Sequence, residues 1–223
     1  MMTHAYHESY LTDAQQNLGT MFDFAIRFLK YDENQFFIYF IQSEVARKFG
    51  HANPKYIAGM SGIELCENVL NKINSPSVNQ KFNCPSDFMT EYGIEFWTGW
   101  ILAYYQWYSG LSFSDLLEYG LTPSEVSSRY ILHEADVSKF VSTADKIILN
   151  NINSSPTRLK KIRKQQHMTQ EELSKLSGVS LRMIQLYEQR QNDINKASGQ
   201  TINALARALC CNFYDIMEID LNN

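Results

Sequence analysis

Apolar residues recur at three- and four-residue spacings along most of the first 150 positions, and strict alternation of apolar and polar positions is rare. That period sets apolar side chains on one face of a helix, whereas alternation would have set them on one face of a strand. It predicts helices over 9–30, 33–49, 61–73, 87–109, 112–120, 122–133 and 135–149. Local signals sharpen the boundaries. Ser61 with Glu64, and Thr122 with Glu125, have the capping-box spacing, and Pro123 stands where a first-turn proline is tolerated. Gly50 and Gly110 follow periodic runs and read as stops, and Asn74 through Pro85 reads as a loop. The expected fold is all-α.

One segment departs from ordinary amphipathicity. In Phe96 to Tyr108, Trp97, Trp100, Tyr104 and Trp107 fall on one helical stripe, with Phe96, Ile101 and Tyr105 to one side. A helix aromatic over most of its circumference is usually buried, so core packing is the simpler reading. The sharper reading makes Trp97, Trp100, Tyr104 and Trp107 a partner-binding face, because Trp and Tyr concentrate at interface hot spots.

After residue 156 the pattern changes to short helices with strong punctuation. Thr169 is a helix cap with Glu172 three residues on, so a helix begins at Gln170 and directs Leu173 and Leu176 inward until Gly178 ends it. Ser180 caps a second helix running to about Gln189, anchored by Val179 and Ile184. Two short helices joined by a glycine-containing turn form the helix-turn-helix unit, whose second helix fits a DNA major groove.

Charge supports the division. Residues 1–150 hold 10 Lys and Arg against 17 Asp and Glu, whereas 157–200 hold 9 against 4. Of 29 aromatic residues, 26 precede position 151. The change falls at Asn150 to Pro156, a run of turn formers that reads as a linker between an acidic, aromatic-rich interaction or sensing domain (1–149) and a DNA-binding domain (157–223). The acidic first part repels nucleic acid, which confines DNA contacts to the C-terminal third.

Other chemistry finds little support. Cys66, Cys84, Cys210 and Cys211 lack ligand spacing and read as reduced thiols, and only His4 and His7 are spaced to share a helix face, so no metal site is expected. His133 and Asp136 lack a nucleophile, and an Asp136 helix cap is the simpler reading. No phosphate loop, dinucleotide fingerprint or hydrolase motif is present, which argues against an enzyme and against a cofactor. No stretch spans a bilayer and no leader opens the chain, pointing to the cytoplasm.

At these residues the chain resembles the Cro/lambda-repressor-like (XRE) helix-turn-helix family over about 157–219. The resemblance rests on a basic helix with Leu159, Ile162 and Arg163, then Thr169-Gln170-x-x-Leu173, Gly178-Val179-Ser180, Ile184 and Tyr187-Glu188. Thr201 to Leu209 and a closing Phe213 to Glu218 helix complete it. It implies a five-helix domain that binds operator DNA as a homodimer. The segment between Glu188 and Thr201 is longer than the family form.

The resemblance places Gln170 on backbone phosphate and Leu181, Arg182, Met183 and Leu186 on the base-facing side of the helix that Ser180 opens. Arg182 can fork onto guanine O6 and N7, while Leu181 and Leu186 offer apolar contact, for example to a thymine methyl. Gln185 faces either the bases or the phosphates and solvent. Lys160, Lys161, Lys164, Arg190 and Lys196 are candidates for phosphate contacts. Arg163 and Glu188 are placed as an intradomain ion pair, and Leu159, Ile162, Leu173, Leu176, Ile184, Leu205 and Leu209 as core. The function implied is a sequence-specific transcriptional regulator, most simply an autoregulating repressor. The alternative is an antitoxin-type protein whose first domain neutralises a partner encoded nearby.

Overall fold

The computed structural model describes residues 4–73 and 92–219, and every regular element among them is a helix. The chain divides into two compact units that change over between Ile148 and Leu149. The first contains α1 (Leu11–Asp23), α2 (Glu33–Gln42), α3 (Val45–Gly50), α4 (Pro54–Ile57), α5 (Gly62–Lys72), α6 (Ile94–Ser109), α7 (Phe113–Glu118) and α8 (Pro123–Ser127). Helix α9 (Val137–Ser154) contains the changeover, and α10 (Arg158–Gln165), α11 (Gln170–Ser177), α12 (Leu181–Glu188), α13 (Gly199–Ala208) and α14 (Phe213–Ile216) follow.

The first unit is organised around α1 against α6. Leu18, Met21 and Phe22 of α1 and Leu102 and Ala103 of α6 are buried, Tyr105 turns to Phe140 and Asp145 of α9, and Phe36, Phe37, Phe40, Leu65 and Val69 extend the buried layer. The two helices approach closely at Gly99, where an added Cβ would lie 2.4 Å from the Leu18 carbonyl oxygen, so only glycine admits this packing. The N-terminal segment covers the far end of α6. The Trp107 indole N–H donates to the Tyr6 carbonyl at 2.8 Å, and His4 stacks on Trp107 with ring centroids 3.8 Å apart. His7 caps the 3-10 turn Glu8–Tyr10 by accepting the Ser9 N–H. His4 and His7 therefore have packing and capping roles.

Several predicted boundaries shift for local reasons. The 9–30 segment is α1 followed by a π-type turn, Phe24–Phe28. The 33–49 segment breaks at Glu44, whose backbone turns left-handed (φ 62°), giving α2 and α3. The 122–133 segment ends as α-helix at Ser127 and resumes as a 3-10 turn, Tyr130–Glu134. Ser61 and Glu64 form the full reciprocal capping box, and Thr122 accepts the Glu125 N–H. Asp136 accepts the Ser138 N–H at 2.9 Å at the entry to α9. The loop expected at 74–85 and the helix start expected at 87–91 lie outside the described residues, as does Cys84.

The linker expected at 150–156 requires correction, because α9 runs through Ser154. Phe140, Val141, Ala144, Ile148 and Ile152 are buried at helical spacing, and this stripe carries the helix past the asparagines. Apolar periodicity outweighs the weak helix preference of Asn and Ser here, since packing rather than propensity supplies most helical stability.

The aromatic stripe divides. Trp107 is buried, while Trp97, Trp100 and Tyr104 are half-buried on the side of α6 that α1 leaves uncovered. Core packing accounts for the first and for part of the surface of the other three.

Candidate nucleic-acid interface

The second unit builds its core from Leu159 of α10, Leu173 of α11, Ile184 and Tyr187 of α12, and Leu205 and Leu209 of α13, with Ile162 packed at its edge. Leu176 does not join it and is 65% exposed. On an eight-residue helix the inward face is centred between Leu173, Ser174 and Ser177, and a residue three positions on from Leu173 rotates away from that centre.

The turn between α11 and α12 is fixed by backbone geometry and three short hydrogen bonds. Thr169 and Glu172 form a reciprocal capping box at the start of α11. Gly178 closes it in the left-handed conformation (φ 71°), its N–H donating to Ser174 O at 2.9 Å. The Ser174 hydroxyl donates to Val179 O at 2.7 Å and the Ser177 hydroxyl to Leu173 O at 2.7 Å. Ser180 then caps α12 by accepting the Met183 N–H. These contacts hold the angle between the two helices, which decides how α12 can be presented.

A buried charge cluster ties α12 to the other two helices. The Arg163 guanidinium of α10 forks onto Glu188 at the end of α12, with Nε to Oε1 at 2.6 Å and Nη2 to Oε2 at 2.8 Å. Its Nη1 donates to Met168 O at 2.6 Å, and the Gln170 amide donates to Glu188 Oε2 at 2.8 Å. Hydrogen bonding to Glu188 raises the Arg163 pKa above its ordinary value, and burial opposes that shift. The pair is found as the resemblance implies. Gln170, half-buried at the start of α11, thus directs its side-chain amide into this cluster.

Ile184, Tyr187 and Glu188 are the buried face of α12. The opposite face is a row at helical spacing, Arg182, Gln185, Leu186 and Gln189, with Arg182 and Gln189 exposed and the two between them half-buried. Leu181 and Met183 flank the row, and Met183 leans onto the core. Gln185 thus shares the face of Arg182. Sequence reasoning omitted Gln189, although its position seven residues after Arg182 places it on the same stripe.

The basic candidates separate into two kinds. Lys161 and Lys164 are exposed on α10 and Lys160 is half-buried there, while Lys196 is 85% exposed beside Asp193 at 3.5 Å. Arg190 has intradomain partners: Nη1 donates to Ser155 O at 2.7 Å and Nη2 meets Glu218 Oε2 at 3.2 Å. The long 189–200 segment is anchored by the buried Ile194 in a 3-10 turn.

Residues 159–215 match the protein-family model described as Helix-turn-helix. No curated protein and no solved structure matches the chain. The matched segment is a helix-turn-helix domain of the Cro/lambda-repressor-like (XRE) class, the class of DNA-binding transcription regulators. No helix among the described residues is long and apolar enough to cross a membrane.

Proposed function

We propose that the protein is a sequence-specific transcriptional regulator that lays α12 in the major groove and represses its own promoter as a homodimer. The observation that carries this reading is the outward row of Arg182, Gln185, Leu186 and Gln189, backed by the buried Arg163–Glu188–Gln170 cluster. Arg182 reads guanine, the two glutamines read adenine or phosphate, and Ser180, Leu181, Leu186 and Met183 supply close contacts at the edges. Lys160, Lys161, Lys164 and Lys196 contribute charge toward the phosphates. Gln170 acts through its hold on Glu188, and Arg190 through its hold on Ser155 and Glu218. The exposed Phe213–Tyr214 pair, with ring centroids 3.8 Å apart, offers an apolar surface for pairing of two copies. A two-fold dimer sets two recognition helices on half-sites one DNA turn apart.

The test is a fluorescence-anisotropy titration against the duplex upstream of the protein's own gene and a scrambled duplex, at several salt concentrations, with Arg182→Ala alongside. The native duplex is expected to bind more tightly, with Arg182→Ala removing about 1–3 kcal/mol of that preference. Equal affinity for both duplexes at every salt concentration would defeat the reading.

A further inference from the structure

The half-buried side of α6 opens into a cavity of about 320 Å³, at the small end of ligand-pocket volumes. Its walls include Phe96, Trp97 and Trp100 of α6, Tyr130 and His133 of the 3-10 turn, and Phe140 of α9. Trp97 stands edge-on to Tyr130 at 5.6 Å and to Phe140 at 5.7 Å, and His133 lies flat against Tyr130 at 4.2 Å. The Tyr130–His133 stack is pinned by a 2.7 Å hydrogen bond between His133 Nδ1 and Tyr130 O.

Trp107, on the same stripe, is buried and its N–H is satisfied by Tyr6. Trp97 and Trp100 have no hydrogen-bond partner among the described residues and keep part of their surface in solvent.

The formal charges around the cavity are carried by its chain neighbours rather than by its lining. None of the residues lining it is Lys, Arg, Asp or Glu. Glu134 and Asp136 alternate along the chain with the lining residues His133, Ala135 and Val137, and both are exposed. Hydrogen bonds from Ser138 hold the Asp136 carboxyl below its usual range, so it stays ionised. Burial is the main cause of a raised phenol pKa at Tyr104 on the same side of α6, with Tyr108, Asp136 and Glu8 adding to it in that order. Lys139 and Arg129 are the cations next in the chain to lining residues, and Arg129 is paired with Glu125 at 2.7 Å.

Aromatic faces attract cations through their quadrupoles, and most strongly when the cation is too diffuse to be held by water. An aromatic box with no Lys or Arg in its lining, and with exposed carboxylates on the neighbouring positions Glu134 and Asp136, therefore favours a poorly hydrated positive charge. We propose that this cavity is a binding site for a small organic ammonium ion, held against the rings of Trp97, Trp100 and Tyr130. The site lies wholly in the first unit, and the proposal stands or falls independently of DNA binding by α12.

The experiment titrates the full-length protein with choline by calorimetry and tryptophan fluorescence, with 3,3-dimethylbutan-1-ol as the neutral isostere and sodium chloride holding ionic strength constant. Saturable binding of choline is expected, about tenfold tighter than the isostere. Trp100→Leu keeps an apolar wall but removes one ring, and should weaken choline by about tenfold without weakening the isostere. Ala135→Phe, at an exposed lining position, should block both ligands and leaves the α6 rings untouched. Thermal melts of both variants check that the unit remains folded. An isostere that binds as tightly as choline, a choline titration that does not saturate, or binding unchanged in folded Ala135→Phe would overturn the proposal.

Discussion

Arg163 and Glu188, 25 residues apart in sequence, meet in a two-point fork that is almost wholly buried and fixes the end of α12 to α10. A buried pair is costly to form and far more costly to break on one side, because the surviving charge remains in the interior without its partner. Glu188→Ala strands the Arg163 guanidinium and also releases the Gln170 amide, so the second unit should lose about 3–5 kcal/mol. Urea unfolding followed by a probe in that unit measures this. A variant with parental stability would show that the cluster does not hold the domain together.

Two glycines separate conformational need from space. Gly178 has φ 71° and nothing within 4 Å of an added Cβ, so alanine there suffers only the backbone strain. Gly178→Ala should cost about 1–2 kcal/mol. Gly199 opens α13 with equally open surroundings and no left-handed backbone, so Gly199→Ala should gain about 0.4–1 kcal/mol by restricting the unfolded chain. Opposite signs in paired denaturant curves are the expected result, and losses of equal size would contradict the account.

Local devices are legible in the sequence, and contacts between distant residues are not. Thr169, Gly178 and Ser180 act on neighbours within five residues, so their composition and spacing were sufficient to find the turn. Leu176 misled because its exposure depends on where the inward face of a short helix is centred, which Ser174 and Ser177 decide by what they touch. The linker reading at Asn150 to Ser154 weighed residue preference, while the buried stripe through Ile148 and Ile152 prevailed. Ser112 and Asp115 form a capping box whose three-residue spacing is equally visible in the sequence. The cavity beside Trp97 and Trp100 was not readable at all, since Tyr130 and Phe140 reach it from separate elements.

Arg190 and Lys164 are both basic residues of the second unit, and the structure gives them different work. Arg190 braces Ser155 and Glu218, whereas Lys164 is exposed on α10. Arg190→Ala should lower stability by about 1–2 kcal/mol through lost hydrogen bonds to a carbonyl and a carboxylate. Lys164→Ala should leave the melt unchanged and reduce the slope of log affinity against log salt by about 1. Melting curves and anisotropy titrations on both variants distinguish the roles. A stable Arg190→Ala with a reduced salt slope would return that residue to the phosphate contacts.

Tyr6 and Tyr105 are both buried in the first unit, yet their hydroxyls stand in opposite situations. Tyr105 donates to Asp145 Oδ1 at 2.6 Å, while the Tyr6 hydroxyl has no partner among the described residues. Tyr105→Phe removes a charge-assisted bond and leaves Asp145 without its donor, a loss of about 1.5–3 kcal/mol. Tyr6→Phe removes an unsatisfied group and should be neutral or stabilising by up to about 1 kcal/mol. Burial pushes both phenols up, and the Asp145 contact pushes Tyr105 further. A phenol raised in the folded state keeps its proton there, whereas the unfolded chain releases it near pH 10. The unfolded state therefore binds fewer protons, and stability falls as pH rises above about 10, by up to about 1.4 kcal/mol per pH unit for each tyrosine. Denaturant midpoints at pH 7 and above pH 10 should show this decline, and it should be shallower in Tyr6→Phe. Equal declines in parent and Tyr6→Phe would mean that burial does not hold the Tyr6 phenol protonated, and a Tyr6→Phe loss as large as that of Tyr105→Phe would mean that its hydroxyl has a partner after all.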